Sequence, residues 1–390
     1  MLDERPCRPR VALFATNFLP FSQTFVHDEL RCHRRYDAEV FARRRRLADE
    51  FPFAPVHLAN PLYGVSAYSP AFHRRIREGR FAVVHAHFGP GAVYARPYAQ
   101  RADLPLVVTF HGYDVPLLWT RGRFTDPENW PYALGARRML ARMTLGLCVS
   151  QELRELLVRH GVPRERLRLH HLGIDLGNFS PGSPHGEFKA LMVGRFVEKK
   201  GFEFGLRGFA GFLARGGAGR LTVVGEGPRE GLLRRTAGDL RLGDRVEFVG
   251  RRTSAEVRGL MRASHVLLAP SVVARDEDRE GGLTVAKEAS ACGTVVVGSV
   301  HGGTPEIVEH GVTGLLAPER DPAGLADHLL ALARDPRLRA RLAAAAVDKM
   351  RREYDLQDSV DRLEDFYDEA RALHRAADRP AEPEPACVSS

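Results

Sequence analysis

This sequence predicts an α/β protein of two doubly wound parallel-sheet domains. Three observations carry the expectation. Short apolar runs recur along the chain, and each leads into a polar loop and a helix-capable segment. The series restarts after residues 177–186, which are rich in Gly, Pro and Ser and read as a linker. The chain has 390 residues, more than one core usually organises. Strand–loop–helix repeats with short connections build parallel sheets covered by helices on both faces.

The elements follow in order. Residues 11–16 are a first buried strand, 17–22 a Pro-containing loop and 24–30 the start of a helix. Loops at the carboxyl ends of such strands are where this architecture binds ligands. Residues 43–46 are four consecutive arginines, read as a solvated loop, with an acidic membrane or phosphorylated acceptor as the sharper alternative. Residues 81–88 form a strand ending in His85 and His87, which alternation places on one face. Zinc would need further ligands that no spacing supplies, so a strand end facing a cleft is preferred. Residues 106–110 deliver His111-Gly112-Tyr113-Asp114 to another strand end, with a structural histidine as the competing reading. Residues 127–130 are irregular, 132–142 helical and 145–150 a strand, after which Ser150 can cap a helix starting at Gln151. Residues 167–171 close the first series as a strand followed by Gly173-Ile174-Asp175.

The second series has strands at 188–193, 221–224, 245–249, 265–270 and 294–298. Their loops carry Gly194-Arg195 with Lys200-Gly201, then Gly225-Glu226-Gly227-Pro228, then Gly250-Arg251-Arg252, and last His301 to Glu306. Residues 322–346 read as one Ala- and Leu-rich helix. Residues 355–370 read as a helix with an apolar face of Leu356, Val360, Leu363, Phe366 and Tyr367.

Composition narrows the function. Hydrophobic content of 44% and charged content of 27% are globular values, and a formal charge of +8 favours anionic partners without choosing among them. Cys7, Cys32, Cys148, Cys292 and Cys387 are dispersed with no metal-ligand spacing, which fits free thiols in a reducing cytosol. Residues 1–5 carry acids and lack the apolar core of a signal peptide, and no apolar run is long enough to span a bilayer. The expected location is cytoplasmic, with peripheral contact at an acidic inner membrane face as an alternative.

The most informative stretch runs from Arg279 to Gly293. Glu280 and Glu288 flank Gly281-Gly282-Leu283-Thr284, and Cys292-Gly293 ends the helix-capable run. A helix N-terminus offers unpaired N–H groups and partial positive charge to a phosphate, and glycines let backbone approach it. Glu280 would stand just before the helix and Glu288 about two turns into it. Two carboxylates there can accept hydrogen bonds from sugar hydroxyls on either side of a diphosphate. Arg195 and Lys200 add the positive charge that a departing diphosphate needs. A surface helix with ordinary glutamates, beside a solvated charged loop, is the plain alternative.

Residues 191–318 resemble the donor half of the family 4 retaining glycosyltransferases, which have the GT-B fold. The matching residues are Gly194-Arg195 with Lys200-Gly201, Gly225-Glu226-Gly227-Pro228, Phe248-Val249-Gly250, Pro270-Ser271, Glu280-Gly281, Glu288-Ala289 with Ala291-Cys292-Gly293, and Gly311 to Leu316. Pro20, Ser22-Gln23-Thr24-Phe25, His85-Ala86-His87-Phe88 and Phe110-His111-Gly112-Tyr113-Asp114 resemble the exopolysaccharide branch, that of colanic acid and amylovoran. Leu283, Lys287 and Gln23 depart from the usual pattern, which bears on sugar and acceptor identity rather than reaction type.

The resemblance implies a set of roles. A nucleoside diphosphate sugar, expected to be a UDP sugar, would be held by Gly194, Arg195, Lys200, Gly250, Arg251, Glu280, Gly281, Gly282, Leu283, Thr284 and Glu288. Glu280 would contact the transferred sugar and Glu288 the ribose. His111, Arg195, Lys200 and Glu280 would serve the chemistry. Ser22, Thr24, His87 and Asp114 would lie on the acceptor side. The acceptor would be a saccharide, a lipid-linked saccharide or a small molecule, and no nucleic acid is expected. No metal and no other cofactor is expected either, although Asp276 and Asp278 show a D-x-D spacing. The implied division is residues 1–176 for the acceptor domain, 177–186 for the linker and 187–353 for the nucleotide-sugar domain. Residues 354–376 would be a helix crossing back to the first domain, and 377–390 a disordered tail. The alternatives are a GT-B phosphorylase, a sugar-nucleotide epimerase, or a catalytically inactive sugar-nucleotide-binding protein.

Overall fold

A computed structural model describes residues 8–19, 25–60, 63, 68–120, 124 and 127–377. Ser22, Thr24 and the 377–390 tail beyond Ala377 therefore lie outside the described residues, as do Cys7 and Cys387. Two parallel sheets organise the chain. The first comprises β1 (Arg10–Phe18), β2 (Asp37–Arg45), β3 (Val56–Leu58), β4 (Phe81–His87), β5 (Leu106–Phe110), β6 (Leu145–Cys148) and β7 (Leu167–Leu169). Its order is β3-β2-β1-β4-β5-β6-β7, with every pairing parallel. The second comprises β8 (Phe188–Val193), β9 (Gly219–Val224), β10 (Val246–Gly250), β11 (Val266–Ala269), β12 (Val295–Ser299) and β13 (Gly314–Ala317). Its order is β10-β9-β8-β11-β12-β13, again parallel throughout. In each sheet the order reverses beside the first strand, between β1 and β4 and between β8 and β11. Such a reversal opens a crevice at the carboxyl edge, and in this molecule the two crevices face each other.

The strands form where apolar runs can be buried on both faces. β5 (Leu-Val-Val-Thr-Phe) and β12 (Val-Val-Val-Gly-Ser) are buried at every position. Ser150 caps helix Gln151–Arg159, accepting from Leu153 N at 3.4 Å. Two expectations fail. Arg43 to Arg45 are not loop but the end of β2, whose middle four residues are buried. The helix read over 322–346 is two, Pro322–Arg334 and Pro336–Glu353. Asp335 breaks the run by capping the second, accepting from Arg337 N and Leu338 N at 2.9 Å each, and Pro336 suits the first turn that follows.

The chain crosses between the halves twice, side by side. Ile174 N donates to Tyr354 O at 2.9 Å and Leu356 N to Ile174 O at 3.1 Å. A Cβ on Gly173 would collide with the Leu356 backbone, so glycine is what lets the two crossings touch. Helix Leu356–Ala377 then lies across the first sheet. Its Leu363, Tyr367 and Ala370 bury against Val11, Tyr36, Val83, Val107, Leu145 and Leu147. Glu364 is fully buried in this seam and accepts from Arg34 N, Arg35 N and Tyr36 N at 3.0, 2.9 and 3.1 Å. Among the described residues no helix is long and apolar enough to cross a membrane.

Candidate active site between the two sheets

A cavity of about 640 Å³ lies between the facing crevices. The second half supplies most of its wall, from loops that follow successive strands. After β8 the chain passes through Gly194 and Arg195 into a turn, Glu198–Lys200. After β9 it passes through Gly225 to Gly227. A side chain at Gly225 would overlap the Gly194 carbonyl, so these two loops stack only because both are glycine turns. Arg251 and Arg252 follow β10, and Arg258 projects from helix Ser254–Ala263. The 280–288 stretch completes this side.

Charge in this wall is arranged in pairs. Lys200 Nζ lies 3.2 Å from Glu280 Oε2, and Lys199 Nζ lies 3.0 Å from Asp278 Oδ1. Burial pushes the Glu280 carboxyl up, but Lys200 and Lys199 overcome it and hold it down at about 2. Glu280 is thus a buried carboxylate with its charge intact, and its Oε1 has no hydrogen-bond partner among the described residues. Its backbone N donates to His301 Nε2 at 3.1 Å, and His301 Nδ1 is held by Glu319 at 2.6 Å. Arg195 lines the cavity, and its side chain has no hydrogen bond or ion pair among the described residues. Glu288 behaves oppositely to Glu280. Burial lifts its carboxyl to about 7, with Arg258 opposing, so it can donate as well as accept near neutrality.

The helix itself differs from the reading of its sequence. It spans Thr284–Ala291 and begins four residues after Glu280, so Glu288 stands one turn in rather than two. No side chain caps its first turn, which opens beside Gly281, Gly282 and Thr284, although Ala286 N already donates to Leu283 O at 3.0 Å. Leu283 turns inward and is 2% exposed in the core beneath, and Gly250 also lies off the cavity wall.

The first half contributes Phe25, Phe88, His111, Tyr113, Val149 and Leu172. His111 sits between aromatic rings, with centroids 5.0 Å from Phe25 and 4.2 Å from Phe88. Burial, with His87 and His170 nearby, holds its pKa well below the ordinary imidazole value, so the ring is neutral. Asp114 does not reach the cavity. Its carboxylate is fully buried and accepts from Gly89 N, His111 N and Gly112 N at 3.0, 3.1 and 2.9 Å, which shapes the loop that presents His111. His85 and His87 are also turned inward, away from the cleft, at 0% and 1% exposure. Glu29, His85 and His87 bring donor atoms within 4.8 Å of one another, the only such grouping among the described residues. Asp276 and Asp278 hold no such arrangement, because Asp278 is engaged by Lys199 and Asp276 accepts from Asp278 N at 3.2 Å.

The halves touch around the cavity. Arg279 pairs with Glu152 at 2.7 Å, Glu306 accepts from Gln151 N at 2.8 Å, and Lys287 Nζ donates to Leu172 O at 2.8 Å. Closest is the glycine seam. Gly281 lies against the His111 carbonyl, and a Cβ on Gly112 would come 2.8 Å from Arg279 O. Lys199, Arg258 and Glu29 were not singled out in the sequence, and Asp278 only for its D-x-D spacing with Asp276. Lys199 was legible beside Lys200, whereas the others act through contacts between distant segments.

Comparison with known proteins gives a consistent set of likenesses. The family described as "Glycosyl transferases group 1" matches residues 176–349, and "Glycosyltransferase Family 4" matches residues 27–178. The chain is 33% identical over 257 residues to WcaL of Escherichia coli, assigned to colanic acid biosynthesis. That match covers 65% of this chain and 61% of WcaL. It is 31% identical over 328 residues to a D-inositol 3-phosphate glycosyltransferase of Frankia alni, covering 78% of this chain and 79% of that protein. In structure it superposes on Anabaena HepE, solved in complex with UDP, with a TM-score of 0.75 at 20% identity. That alignment covers 93% of this chain and all of that one.

Proposed function

The chain belongs to glycosyltransferase family 4 and, from that premise, we propose that it moves a hexose from a UDP sugar to a saccharide-bearing acceptor with retention at the anomeric carbon. The observation that carries the reading is Glu280. A buried carboxylate held ionised by Lys200, with one oxygen lacking a partner, is costly unless a ligand donates to it. Sugar hydroxyls are such donors. Lys200, Arg195 and the open helix start at Thr284 suit the diphosphate alongside. Glu288, one turn further, suits a ribose hydroxyl because it can accept or donate.

The reaction breaks the bond between the anomeric carbon and the diphosphate oxygen. The acceptor hydroxyl oxygen forms the new bond from the same face, and its proton passes to the leaving phosphate. Arg195 and Lys200 take up the charge developing on that phosphate, the work a metal ion does elsewhere, so activity without metal is part of the proposal. His111 meets the sugar from the opposite wall. HepE supports the choice of UDP, and the relation to WcaL supports a saccharide acceptor.

Thermal shift with a panel of UDP, GDP and ADP sugars tests this directly. A UDP sugar is expected to stabilise the protein. Lys200→Ala should lose the shift from UDP and UDP sugar alike, whereas Glu280→Gln should keep the UDP shift and lose the increment due to the sugar. No response to any nucleotide sugar, or an unchanged UDP shift in Lys200→Ala, overturns the proposal.

A further inference from the structure

Behind the cavity wall a chain of three side chains runs inward from His111. His87 Nδ1 lies 3.0 Å from His111 Nε2, and His87 Nε2 lies 3.1 Å from Glu29 Oε1. Glu29 comes from helix Phe25–Arg31, His87 ends β4, and His111 follows β5. Glu29 and His87 are 4% and 1% exposed, so water does not compete for these contacts. Glu29 and His85 with His87 are also spaced to hold a cation. Yet each ring nitrogen of both histidines already has a protein partner. His85 Nδ1 bonds Tyr367 Oη and its Nε2 bonds Thr109 Oγ1, both at 2.8 Å. The arrangement is therefore complete as a hydrogen-bond chain.

Its direction follows from its inner end. Burial pushes the Glu29 carboxyl up, but His87, then His170 and His33, overcome that and hold it below the ordinary carboxylate value. Other titratable groups packed near these rings are His85, Tyr367 and Glu364. An ionised carboxylate only accepts, so His87 must carry its proton on Nε2. With His87 neutral, its Nδ1 offers a lone pair that only a proton on His111 Nε2 can fill, whereas a cationic His87 would donate there and leave His111 protonated at Nδ1. In the first case His111, itself neutral, is left with a lone pair at Nδ1.

We propose that Glu29 is a positioning residue that, through His87, fixes the proton of His111 on Nε2, so that His111 meets the sugar as a hydrogen-bond acceptor. The inference rests on the reading that His111 faces the transferred sugar. An acceptor there takes a proton from a sugar hydroxyl. The polarised chain behind it ends in a buried negative charge, which favours the positive charge that the sugar acquires as its bond to phosphate breaks.

Long-range proton–nitrogen correlation spectra of the histidine rings read the tautomer without any turnover. In the wild type His111 is expected to be protonated at Nε2. Glu29→Gln keeps the shape but offers both a donor and an acceptor, so the chain can run either way and an Nδ1-protonated population of His111 should appear. Turnover of the UDP sugar should fall about 10- to 100-fold, the range seen when a carboxylate orienting a functional imidazole is removed, with UDP affinity and melting midpoint held. A wild-type His111 protonated at Nδ1 overturns the proposal before any variant is made. So does an unchanged tautomer in Glu29→Gln, or stoichiometric zinc in the purified protein. A tautomer change with undiminished turnover supports the chain and overturns the placement of His111 at the sugar.

Discussion

Replacing Gly281 by alanine tests whether the two halves react in the closed arrangement. A methyl group there would overlap the His111 carbonyl oxygen and come 2.8 Å from Val149 Cγ2. Both neighbours belong to the first half, and the first is backbone, so no flexible side chain can swing aside. Carbon atoms pack at about 3.5–4.0 Å, so the Val149 contact alone demands a retreat of about 1 Å. The carbonyl overlap demands more. That retreat draws His111 away from Glu280 and Lys200, which the proposed chemistry needs around one sugar. A misplacement of about 1 Å costs on the order of 100-fold in rate, equivalent to about 2.7 kcal/mol of barrier. The assay is UDP release from the UDP sugar giving the largest thermal shift, with its acceptor. We expect kcat to fall about 100-fold. UDP affinity should change far less, because Arg195, Lys200 and Glu288 sit together on the second half and move as one. The melting midpoint is measured alongside, because Val149 belongs to the first core and a loss of stability must be separated from a loss of rate. A folded Gly281→Ala with wild-type kcat would refute the view that chemistry occurs with the halves closed.

Other expectations follow from the same geometry. Lys200→Ala and Arg195→Ala should each lower turnover by about 100- to 1,000-fold, and near-normal rates in both would remove the diphosphate from this loop. EDTA should leave activity intact, because Lys199 already engages Asp278; loss restored by manganese would make Asp276 and Asp278 ligands. Glu364→Gln should cost about 1–3 kcal/mol at neutral pH, read by urea unfolding. The Glu364 carboxyl is held at about 2, below its usual 4.5, because His33 and the backbone N–H groups outweigh burial. Its contribution is therefore present above about 4.5 and lost as pH falls towards 2, and the variant's stability should be flatter across that window. Truncation before Tyr354 should destabilise the first half, and an unchanged melting profile would count against the packing of helix Leu356–Ala377.

Much of the fold was legible because parallel strands buried on both faces leave uninterrupted apolar runs. β5 and β8 were read to the residue, since Gly112 and Gly194 punctuate their ends. β2 was hidden because three arginines at its end mimic a loop, although Val40 to Ala42 are fully buried. The break at Asp335-Pro336 was written in the sequence but masked by Ala and Leu on either side. Within the cavity wall, short-range patterns gave Arg195, Lys200, Glu280 and Glu288, which follow the neighbouring strands β8 and β11 of one half. The link from His111 through His87 to Glu29 could not be read, because its members come from segments 24 and 58 residues apart and Glu29 carries no local motif.

The seam between helix Leu356–Ala377 and the first sheet has a consequence for synthesis. Val11, Val83, Val107, Leu145 and Leu147 all leave the ribosome before β8 begins, yet Leu363 and Tyr367 that cover them follow roughly 200 residues later. At 5–20 residues per second, that apolar face waits roughly 10–40 s for its cover. During the interval the second half can finish folding on its own core, while the first remains open along one side. The nascent chain is then most exposed to aggregation when it is almost complete, and a holding chaperone would act on the side of the sheet facing away from the helices that follow β4 and β5.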